Sequence, residues 1–407
     1  MTLSRFVNLA AAFVEITLSR LVAPNTRPEL SRKSTPGIRT VAVFCYMGLG
    51  DAVMVLPMIR ALKAAFPLAR VECICSERTA AFHALTMAKV FDAMHIYEFK
   101  DASLLRRWGV NRFLRRQGYD LVICPYTAPI EHFVPFLLGV PHRAGHKLTV
   151  QNPRKPRPDW LMHYPAFIPP GETIHETERY RRILNAILPT TEMAVNKTTQ
   201  RFYEVGQSPE KVSNIRGKGS SERHVIGVHA AVSPMLAWKN WGRDRFIALA
   251  KRCVEELNAE IVLFGDASER ASLLAMAEEI HPDFTRVVTP LPDQNPHDSS
   301  TLEQTCRELL ACELLVANES GVGHVAMSLG VPTVRIFGMT DFASFRALDT
   351  NTHTDIRKDL PCSPCFVLGK VKDGYNMNTC GHRNCLATIS IDEVFEAVRG
   401  TLKDKLQ

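Results

Sequence analysis

The chain has 407 residues, which is enough for two domains of ordinary size, and 46% of them are hydrophobic, as in globular proteins. Its formal net charge of +7 is modest for this length, so we expect no nucleic-acid partner on grounds of composition. No apolar run reaches the roughly 18 residues that a membrane-spanning helix needs.

The first 24 residues predict an amphipathic helix. Apolar residues, including Leu3, Phe6 and Ala10, recur there at helical spacing. Glu15 and the lack of a small-x-small cleavage pattern argue against a secretory signal. Two interpretations stay open: a helix lying on a membrane surface, and a helix packed against a neighbour. Prolines and basic residues in 24–39 indicate a linker.

The first predicted domain begins at Thr40 with a strand, a glycine-rich turn, a helix and a second strand, which together form a βαβ unit. The turn, residues 47–51, lacks the third glycine of the dinucleotide fingerprint and the Gly-Lys-Ser/Thr of a phosphate-binding loop. It places the Asp51 carboxylate at the mouth of the sheet. Two roles fit this aspartate: a cap of the helix that starts there, or a general base in a cleft.

Two basic clusters lie in this first half of the chain. Such clusters usually form solvated surfaces, but they can also meet an anionic acceptor. A polar stretch rich in Gly, Ser and Lys at 204–222 predicts the domain boundary, so we expect domains at 40–210 and 223–400. The clusters comprise Arg106, Arg107, Arg112, Arg115 and Arg116, and Arg143, His146, Lys147, Arg154, Lys155 and Arg157.

The second predicted domain also alternates strands and helices. A strand at 225–229 leads into a turn that contains Ser233 and Lys239, and further β and α segments follow. Two tandem α/β domains with a cleft between them are therefore the expected architecture.

The stretch 313–341 predicts a strand, a polar turn, a short helix and another strand. The start of that helix, at Ser320 and Gly321 with His324 one turn further on, is a candidate diphosphate site because helix N-termini offer unpaired amides. On local pattern alone, an ordinary βα turn fits equally well.

Ligands of such folds bind at the carboxyl ends of parallel strands, where Asp51, Lys239 and the 318–324 turn are expected to meet. A carboxylate can deprotonate an incoming hydroxyl, while an ammonium and helix amides neutralise a leaving diphosphate. These residues predict group transfer from a nucleotide-activated donor.

Over roughly residues 38–400 the chain resembles glycosyltransferase family 9, the ADP-heptose:lipopolysaccharide heptosyltransferases. Residues 47–51, Met-Gly-Leu-Gly-Asp, resemble the family's G-x-G-D motif, and the helix that starts at His175-Glu176 also fits the pattern. His229…Ser233…Lys239-Asn240-Trp241 resembles its HPGAS…K-x-W element, and Gly265…Glu269 resembles its G-x-x-x-E. The stretch 313–341 resembles N-D-S-G-P-x-H-x-A…G-P-T-D-P, with Glu319, Val322 and Met339 in place of an aspartate and two prolines.

The resemblance implies an α/β GT-B fold of two Rossmann-like domains and an inverting, metal-independent transfer of a sugar, with ADP-heptose as donor and a lipopolysaccharide-core or related glycan as acceptor. It implies that Asp51 is the catalytic base. Two alternatives stay open: a non-catalytic sugar-nucleotide-binding protein, and a protein-modifying enzyme of the same family. The implied donor-binding residues are Lys239, Ser233, Glu269, Glu319, Ser320, Gly321, His324 and Thr340, and the implied acceptor-side residues are Gly48, Gly50 and Arg143.

The eleven cysteines fall into two groups. Seven are scattered in apolar settings and predict reduced core thiols, so we expect a cytoplasmic enzyme, able to lie peripherally on the cytosolic face of the inner membrane. The other four, Cys362, Cys365, Cys380 and Cys385, have the spacing C-x2-C-x14-C-x4-C, which resembles a tetrathiolate site for a structural zinc or iron ion. Two disulfides or free thiols are the alternatives.

Overall fold

The computed structural model describes residues 37–46, 48–77, 79–80, 90–97, 113–125, 134–135, 139–147, 162–167, 172–188, 223–231, 234–290, 299–367, 370–371 and 380–403. The predictions for residues 1–24, for Ser233 and for most of the two basic clusters lie outside these ranges.

In the part of the first half that is described, six parallel strands form one sheet with the spatial order β3-β2-β1-β4-β5-β6. Its central strands are apolar and buried, as expected for a parallel sheet covered on both faces. The strands are β1 (Thr40–Cys45), β2 (Arg70–Cys75), β3 (Ala93–Ile96), β4 (Leu121–Cys124), β5 (His142–Lys147) and β6 (Tyr164–Phe167).

The described second half repeats this plan, with six parallel strands in the order β12-β11-β10-β7-β8-β9. The strands are β7 (His224–His229), β8 (Ala259–Phe264), β9 (Thr285–Val288), β10 (Leu314–Asn318), β11 (Thr333–Ile336) and β12 (His353–Ile356), and a small antiparallel ribbon joins β13 (Phe366–Val367) to β14 (Lys370–Val371). The helices are α1 (Leu49–Ala65), α2 (Glu176–Ile187), α3 (Arg243–Glu256), α4 (Arg270–Ile280), α5 (Ser299–Ala311), α6 (Gly321–Ser328), α7 (Phe342–Phe345), α8 (Asn384–Ala387) and α9 (Ile391–Lys403).

Helix α1 joins the two halves. It packs against α2 of the first half and against α6 of the second. One continuous apolar core contains Leu56 of α1, Ile183 of α2 and Val325 of α6, all almost fully buried. Burial of shared apolar surface therefore fixes the N-termini of these three helices beside one another.

The structure adds elements that the sequence pattern did not reveal. One of them is β6, which lies in a proline-rich stretch of the chain and forms the edge strand of the first sheet. Pro165 within β6 breaks a strand pattern, but an edge strand tolerates proline because one side of its backbone has no ladder partner. Among the described residues, no helix is both long and apolar enough to cross a membrane.

Candidate functional site at the contact between the two halves

Asp51 lies in the first turn of α1, at the carboxyl end of β1. The helix begins three residues earlier than predicted, with Gly48 at its N-cap, so residues 49–51 are helical rather than part of a turn. Asp51 is therefore not the capping residue. Its carboxylate instead accepts a hydrogen bond from the backbone of Gly48, in the manner of a third helical residue that reaches back to the cap.

Two glycines allow α1 and α6 to meet end to end. A Cβ atom on Gly50 would lie 2.9 Å from Cδ2 of His324, and one on Gly321 would lie 3.0 Å from Cβ of Leu49 and 3.3 Å from the Gly50 nitrogen. Neither contact leaves room for a side chain. The N-termini of both helices, with their unpaired amides, therefore converge at one place between the two sheets.

Lys239, Glu319 and His324 form a charged group on the second half. The Lys239 ammonium and the Glu319 carboxylate make an ion pair, and Nε2 of His324 lies 3.6 Å from Oε1 of Glu319. Burial acts to raise the pKa of Glu319, but Lys239 and His324 outweigh it and hold that pKa well below its ordinary value. Burial also lowers the pKa of His324, which favours a neutral imidazole at pH 7.

A polar network behind this group fixes the carboxyl ends of β7 and β10. Asn318 is fully buried, and its side chain accepts a hydrogen bond from the Trp241 nitrogen (3.0 Å) and donates one to the Ala230 oxygen (2.8 Å). Nδ1 of His229 lies 3.3 Å from Oγ of Ser320, and burial lowers the pKa of His229 to about 4. Ser320 and Lys239 therefore lie beside strand ends that are held in place by hydrogen bonds within the protein rather than by contacts with solvent.

Asp51 is electrostatically unlike this paired group. Burial and the negative charge of Glu319 raise the pKa of Asp51 to about 6, while the Gly48 backbone, Lys239 and Arg179 act in the opposite direction. The structure therefore brings Asp51, Lys239, Glu319 and His324 together, as the sequence predicted. A carboxyl group whose pKa lies near neutrality in a cleft is a suitable general base.

Glu176 is a charged neighbour of Asp51 to which sequence reasoning gave no role. It is buried in the first turn of α2, and its Oε1 accepts a hydrogen bond of 2.9 Å from Nη1 of Arg179. Burial raises the pKa of Glu176 to about 7; Arg179 opposes this shift, and the charges of Asp51 and Asp341 add to it. The His-Glu…Arg-Tyr pattern at 175–180 was visible in the sequence, but its nearness to Asp51 was not.

Three other predicted site residues, Thr340, Glu269 and Arg143, have different surroundings. Thr340 is buried, and its hydroxyl has no hydrogen-bond partner among the described residues. Glu269 follows β8, where its Oε2 accepts a hydrogen bond of 2.9 Å from the Asp266 nitrogen in a capping box. Arg143 lies at the amino end of β5, about 13 Å along the strand from its carboxyl end, and its guanidinium donates to the Val140 oxygen at 2.6 Å. The structure does not bring Arg143 to the cleft.

The four clustered cysteines lie near one another without forming a closed ligand shell. Burial and then Cys365, Cys380 and Cys362 raise the pKa of the Cys385 thiol to about 11. No group of three or more His, Cys, Asp or Glu side chains in the described ranges is arranged to hold a metal ion. None of these four described cysteines forms a disulfide.

Two six-stranded parallel sheets of this order, meeting at a cleft lined by helix N-termini, define the GT-B class of glycosyltransferases. The family model of glycosyltransferase family 9 (heptosyltransferase) matches residues 107–376, about two thirds of the chain, and the chain belongs to this family. The predicted fold class and family are thus confirmed, and the protein is a glycosyltransferase.

Individual relatives are distant in sequence. Lipopolysaccharide heptosyltransferase 2 of Escherichia coli K12 is 24% identical over 303 residues, which cover 71% of this chain and 80% of that protein. The structure of an E. coli ADP-heptose lipopolysaccharide heptosyltransferase II has a TM-score of 0.65 at 19% identity, covering 91% of this chain and 100% of that one. An iron-containing glycosyltransferase, TibC of enterotoxigenic E. coli H10407, has a TM-score of 0.51 at 12% identity, covering 91% and 77%.

Proposed function

We propose that this glycosyltransferase is an inverting heptosyltransferase that transfers heptose from ADP-heptose to a lipopolysaccharide-core or related glycan acceptor. The observation that carries the proposal is the placement of Asp51 at the contact of α1 and α6, facing the group formed by Lys239, Glu319 and His324. The donor and acceptor classes are taken from the E. coli relative, a lipopolysaccharide heptosyltransferase.

In the proposed reaction, Asp51 accepts the proton of an acceptor hydroxyl while that oxygen attacks the anomeric carbon of the donor sugar. The bond between the anomeric carbon and the diphosphate oxygen breaks, and the nucleoside diphosphate leaves with the bonding electrons. Attack from the side opposite the leaving group inverts the anomeric configuration. The first amides of α6 and the Lys239 ammonium stabilise the charge that develops on the diphosphate.

The substitutions in the donor motif are compatible with this chemistry. Glu319 stands where the family has aspartate, and its longer side chain reaches both the Lys239 ammonium and the vicinity of His324. The pair fixes the lysine beside the α6 N-terminus before any donor arrives, which is a form of preorganisation. The buried, unpaired Thr340 hydroxyl is a further group with hydrogen-bonding capacity left for a ligand. These features suit donor binding, and the presence of Asp51 opposite them favours an enzyme over a sugar-nucleotide-binding protein that has lost its activity.

The test is a transfer assay with ADP-heptose and a heptose-deficient lipopolysaccharide acceptor, run with the wild-type protein and the Asp51→Asn variant. We expect product of inverted anomeric configuration from the wild type and a loss of 10²- to 10⁴-fold in kcat for the variant, with donor binding retained. Thermal shifts with ADP-, GDP- and UDP-sugars identify the donor, since a ligand at 100 times its Kd adds about 2.7 kcal/mol of stability. Donor binding without turnover on any glycan or protein acceptor would instead favour the binding-protein alternative.

We further propose that the four clustered cysteines hold a structural zinc or iron ion, as the spacing predicts. Thiolate sulfur is the donor that both ions accept in such sites, and the effect of Cys365, Cys380 and Cys362 on the Cys385 thiol supports their being close together. The ion would pin the segment that carries Cys362 and Cys385 and would take no part in the transfer. Elemental analysis of the purified protein, with Cys385→Ser as the variant, tests this; full occupancy in the variant or no metal in the wild type would contradict it.

The proposed acceptor also bears on where the enzyme works. A lipid-linked acceptor is reached at a membrane surface, and we propose that residues 1–24 provide peripheral contact there, on the cytosolic side. Sedimentation with vesicles containing anionic lipid, with and without residues 1–36, measures this contact. Equal binding of both forms would assign any membrane contact to another part of the protein.

A further inference from the structure

The first turn of α2 brings a second carboxyl group to the neighbourhood of the proposed base. Glu176 is the first residue of α2 and is 4% exposed, so its carboxyl group is removed from bulk water. Helices α1 and α2 pack together, with Asp51 in the first turn of one and Glu176 in the first turn of the other. Two acidic groups in one poorly solvated space favour a cation beside them or the protonation of one of them.

Arg179 supplies that cation. Its Nη1 lies 2.9 Å from Oε1 of Glu176, and its Nε is buried with no hydrogen-bond partner among the described residues. The guanidinium also acts on Asp51, because it is one of the groups that oppose the upward shift in the pKa of that carboxyl. Arg179 therefore faces both carboxyl groups, with a donor left over after its bond to Glu176.

We propose that Glu176 and Arg179 are positioning residues for the base: Glu176 holds the Arg179 guanidinium beside Asp51, and the guanidinium favours the ionised form of Asp51. The inference rests on the proposed role of Asp51 as base. Neither residue needs to touch the sugar. A charged, planar group held by a buried carboxylate is well suited to this task because its position changes little as the substrate binds.

The charged groups around Asp51 and Glu176 come from both halves of the chain. Glu176 faces Arg179 of its own helix, Asp51 of α1 and Asp341 of the turn before α7. Asp51 in turn faces Glu319, Lys239 and Arg179. The charge of Asp51 raises the pKa of Glu176, so the ionisation of either carboxyl makes the ionisation of the other harder.

The electrostatic interaction between Asp51 and Glu176 predicts a pH dependence that a purely structural role of Glu176 would not produce. Glutamine has the shape of a protonated glutamate, so Glu176→Gln should resemble the wild type at pH 5.5, where Glu176 is protonated, and differ at pH 8, where it is ionised. We expect kcat/KM to fall on the order of tenfold at pH 8 and to change little at pH 5.5. Arg179→Gln removes the cation and should move the acid limb of the pH profile upward by about 1 pH unit. Arg179→Lys, which keeps the charge, should restore part of that shift.

The matched control is Glu178→Gln. Glu178 lies on the same helix and is ion-paired with Arg181 and Arg182, but no shift in Asp51 depends on it. It should leave the pH profile of kcat/KM unchanged. A uniform loss of activity at every pH in Glu176→Gln would mean that Glu176 only supports the fold, and would overturn the inference.

A second measurement separates this inference from the proposed function. Asp51 is titrated by carboxyl-carbon NMR in labelled protein, with Asp51→Asn used to assign the signal. We expect two inflections in the wild type and one in Glu176→Gln, whether or not the protein turns over heptose. An unchanged Asp51 titration in both Glu176→Gln and Arg179→Gln would overturn the inference; full activity of Asp51→Asn would overturn the proposed function instead.

Discussion

The two rims of the cleft differ in how the protein controls the ionisation of their buried carboxyl groups. On the second-domain rim, formed by Lys239, Glu319 and His324, a buried carboxylate has a cation in contact and its pKa falls well below the ordinary value despite burial. On the first-domain rim, formed by Asp51, Glu176 and Arg179, two carboxyls share one arginine, and burial raises the pKa of Asp51 to about 6 and that of Glu176 to about 7. The comparison teaches that the balance of neighbouring charges, not burial alone, decides whether a buried acid stays ionised: Glu319 has Lys239 and His324 beside it, whereas the pairing of Glu176 with Arg179 is offset by two nearby acids.

This difference matches the chemistry proposed for each rim. A donor-binding rim benefits from a fixed charge that does not change with pH, whereas a base must be able to take up a proton and release it. The first-domain rim therefore holds its acids at a cost in stability, which is common at functional sites.

Removing the cation of the second-domain rim should have the largest effect. Lys239→Ala leaves Glu319 buried without its partner, and we expect a loss of about 3–5 kcal/mol in the free energy of unfolding at pH 7. The loss should shrink as the pH falls, for two reasons: the unpaired Glu319 of the variant takes up a proton readily, and below the ordinary pKa of glutamate the wild-type pair progressively loses its contribution as the pH approaches the lowered pKa of Glu319. Urea unfolding at pH 7 and pH 4 measures it.

Lys358→Ala is the control in the same domain. Lys358 pairs with Glu393 at 2.7 Å, but these side chains are 31% and 36% exposed, so we expect a cost below about 1 kcal/mol. Equal costs for Lys239→Ala and Lys358→Ala would remove the claimed contrast between a buried and a solvated pair.

Removing the acid of the first-domain rim should stabilise the protein. The pKa of Asp51 rises from 3.8 to about 6 on folding, so the folded state binds the proton more tightly, and wild-type stability falls as the pH rises through that window. Asp51→Asn abolishes this cost. We expect the variant to be more stable than the wild type by up to about 3 kcal/mol at pH 8 and equal to it at pH 3.5, while being inactive. A variant that is less stable at pH 8 would show that Asp51 is well solvated or well paired.

Forcing the two rims apart should have a smaller effect on the free energy of unfolding. Gly50→Ala would place a methyl group 2.9 Å from the His324 ring, and we expect a loss of about 1–3 kcal/mol together with a fall in kcat/KM as α1 and α6 move apart. Gly400→Ala on α9 is the control, since nothing lies within 4 Å of its added Cβ and alanine favours a helix by about 0.5–1 kcal/mol. Full activity of Gly50→Ala would mean that the close approach of the two helices is dispensable.

The smallest effect concerns a bond between the domains. Nδ1 of His175 accepts a hydrogen bond from the Thr177 nitrogen at 3.2 Å, and Nε2 donates to the Arg346 oxygen at 3.1 Å, which requires a neutral ring. Burial lowers the pKa of His175 to about 4, so the ring is neutral at pH 7. His175→Ala should cost about 1 kcal/mol. His175→Asn keeps an N-cap acceptor but cannot reach Arg346, so a full recovery in this variant would assign the effect to capping alone.

Local pattern in the sequence predicted the parallel α/β segments and the strand ends that carry Asp51, Lys239 and Glu319, because apolar runs and glycine-rich turns follow from short-range geometry. It did not reveal β6, whose Tyr-Pro-Ala-Phe is stable only as an edge strand paired with β5. Arg143 shows the same limit, since a basic residue in the first half gives no sign of whether its strand presents the amino or the carboxyl end to the cleft.

The sequence alone determined which functional groups the chain contains: an acid at the first βα junction, a lysine and a helix N-terminus in the second half, and four spaced cysteines. Only the tertiary structure decided how readily the acidic groups among them ionise. Glu319, Glu176 and Asp51 are chemically similar carboxyls, and their pKa values diverge because burial and neighbouring charges differ among them. Several of those neighbours come from segments 80 or more residues away, such as Lys239 beside Glu319 and Asp51 beside Glu176, so no local pattern encodes them.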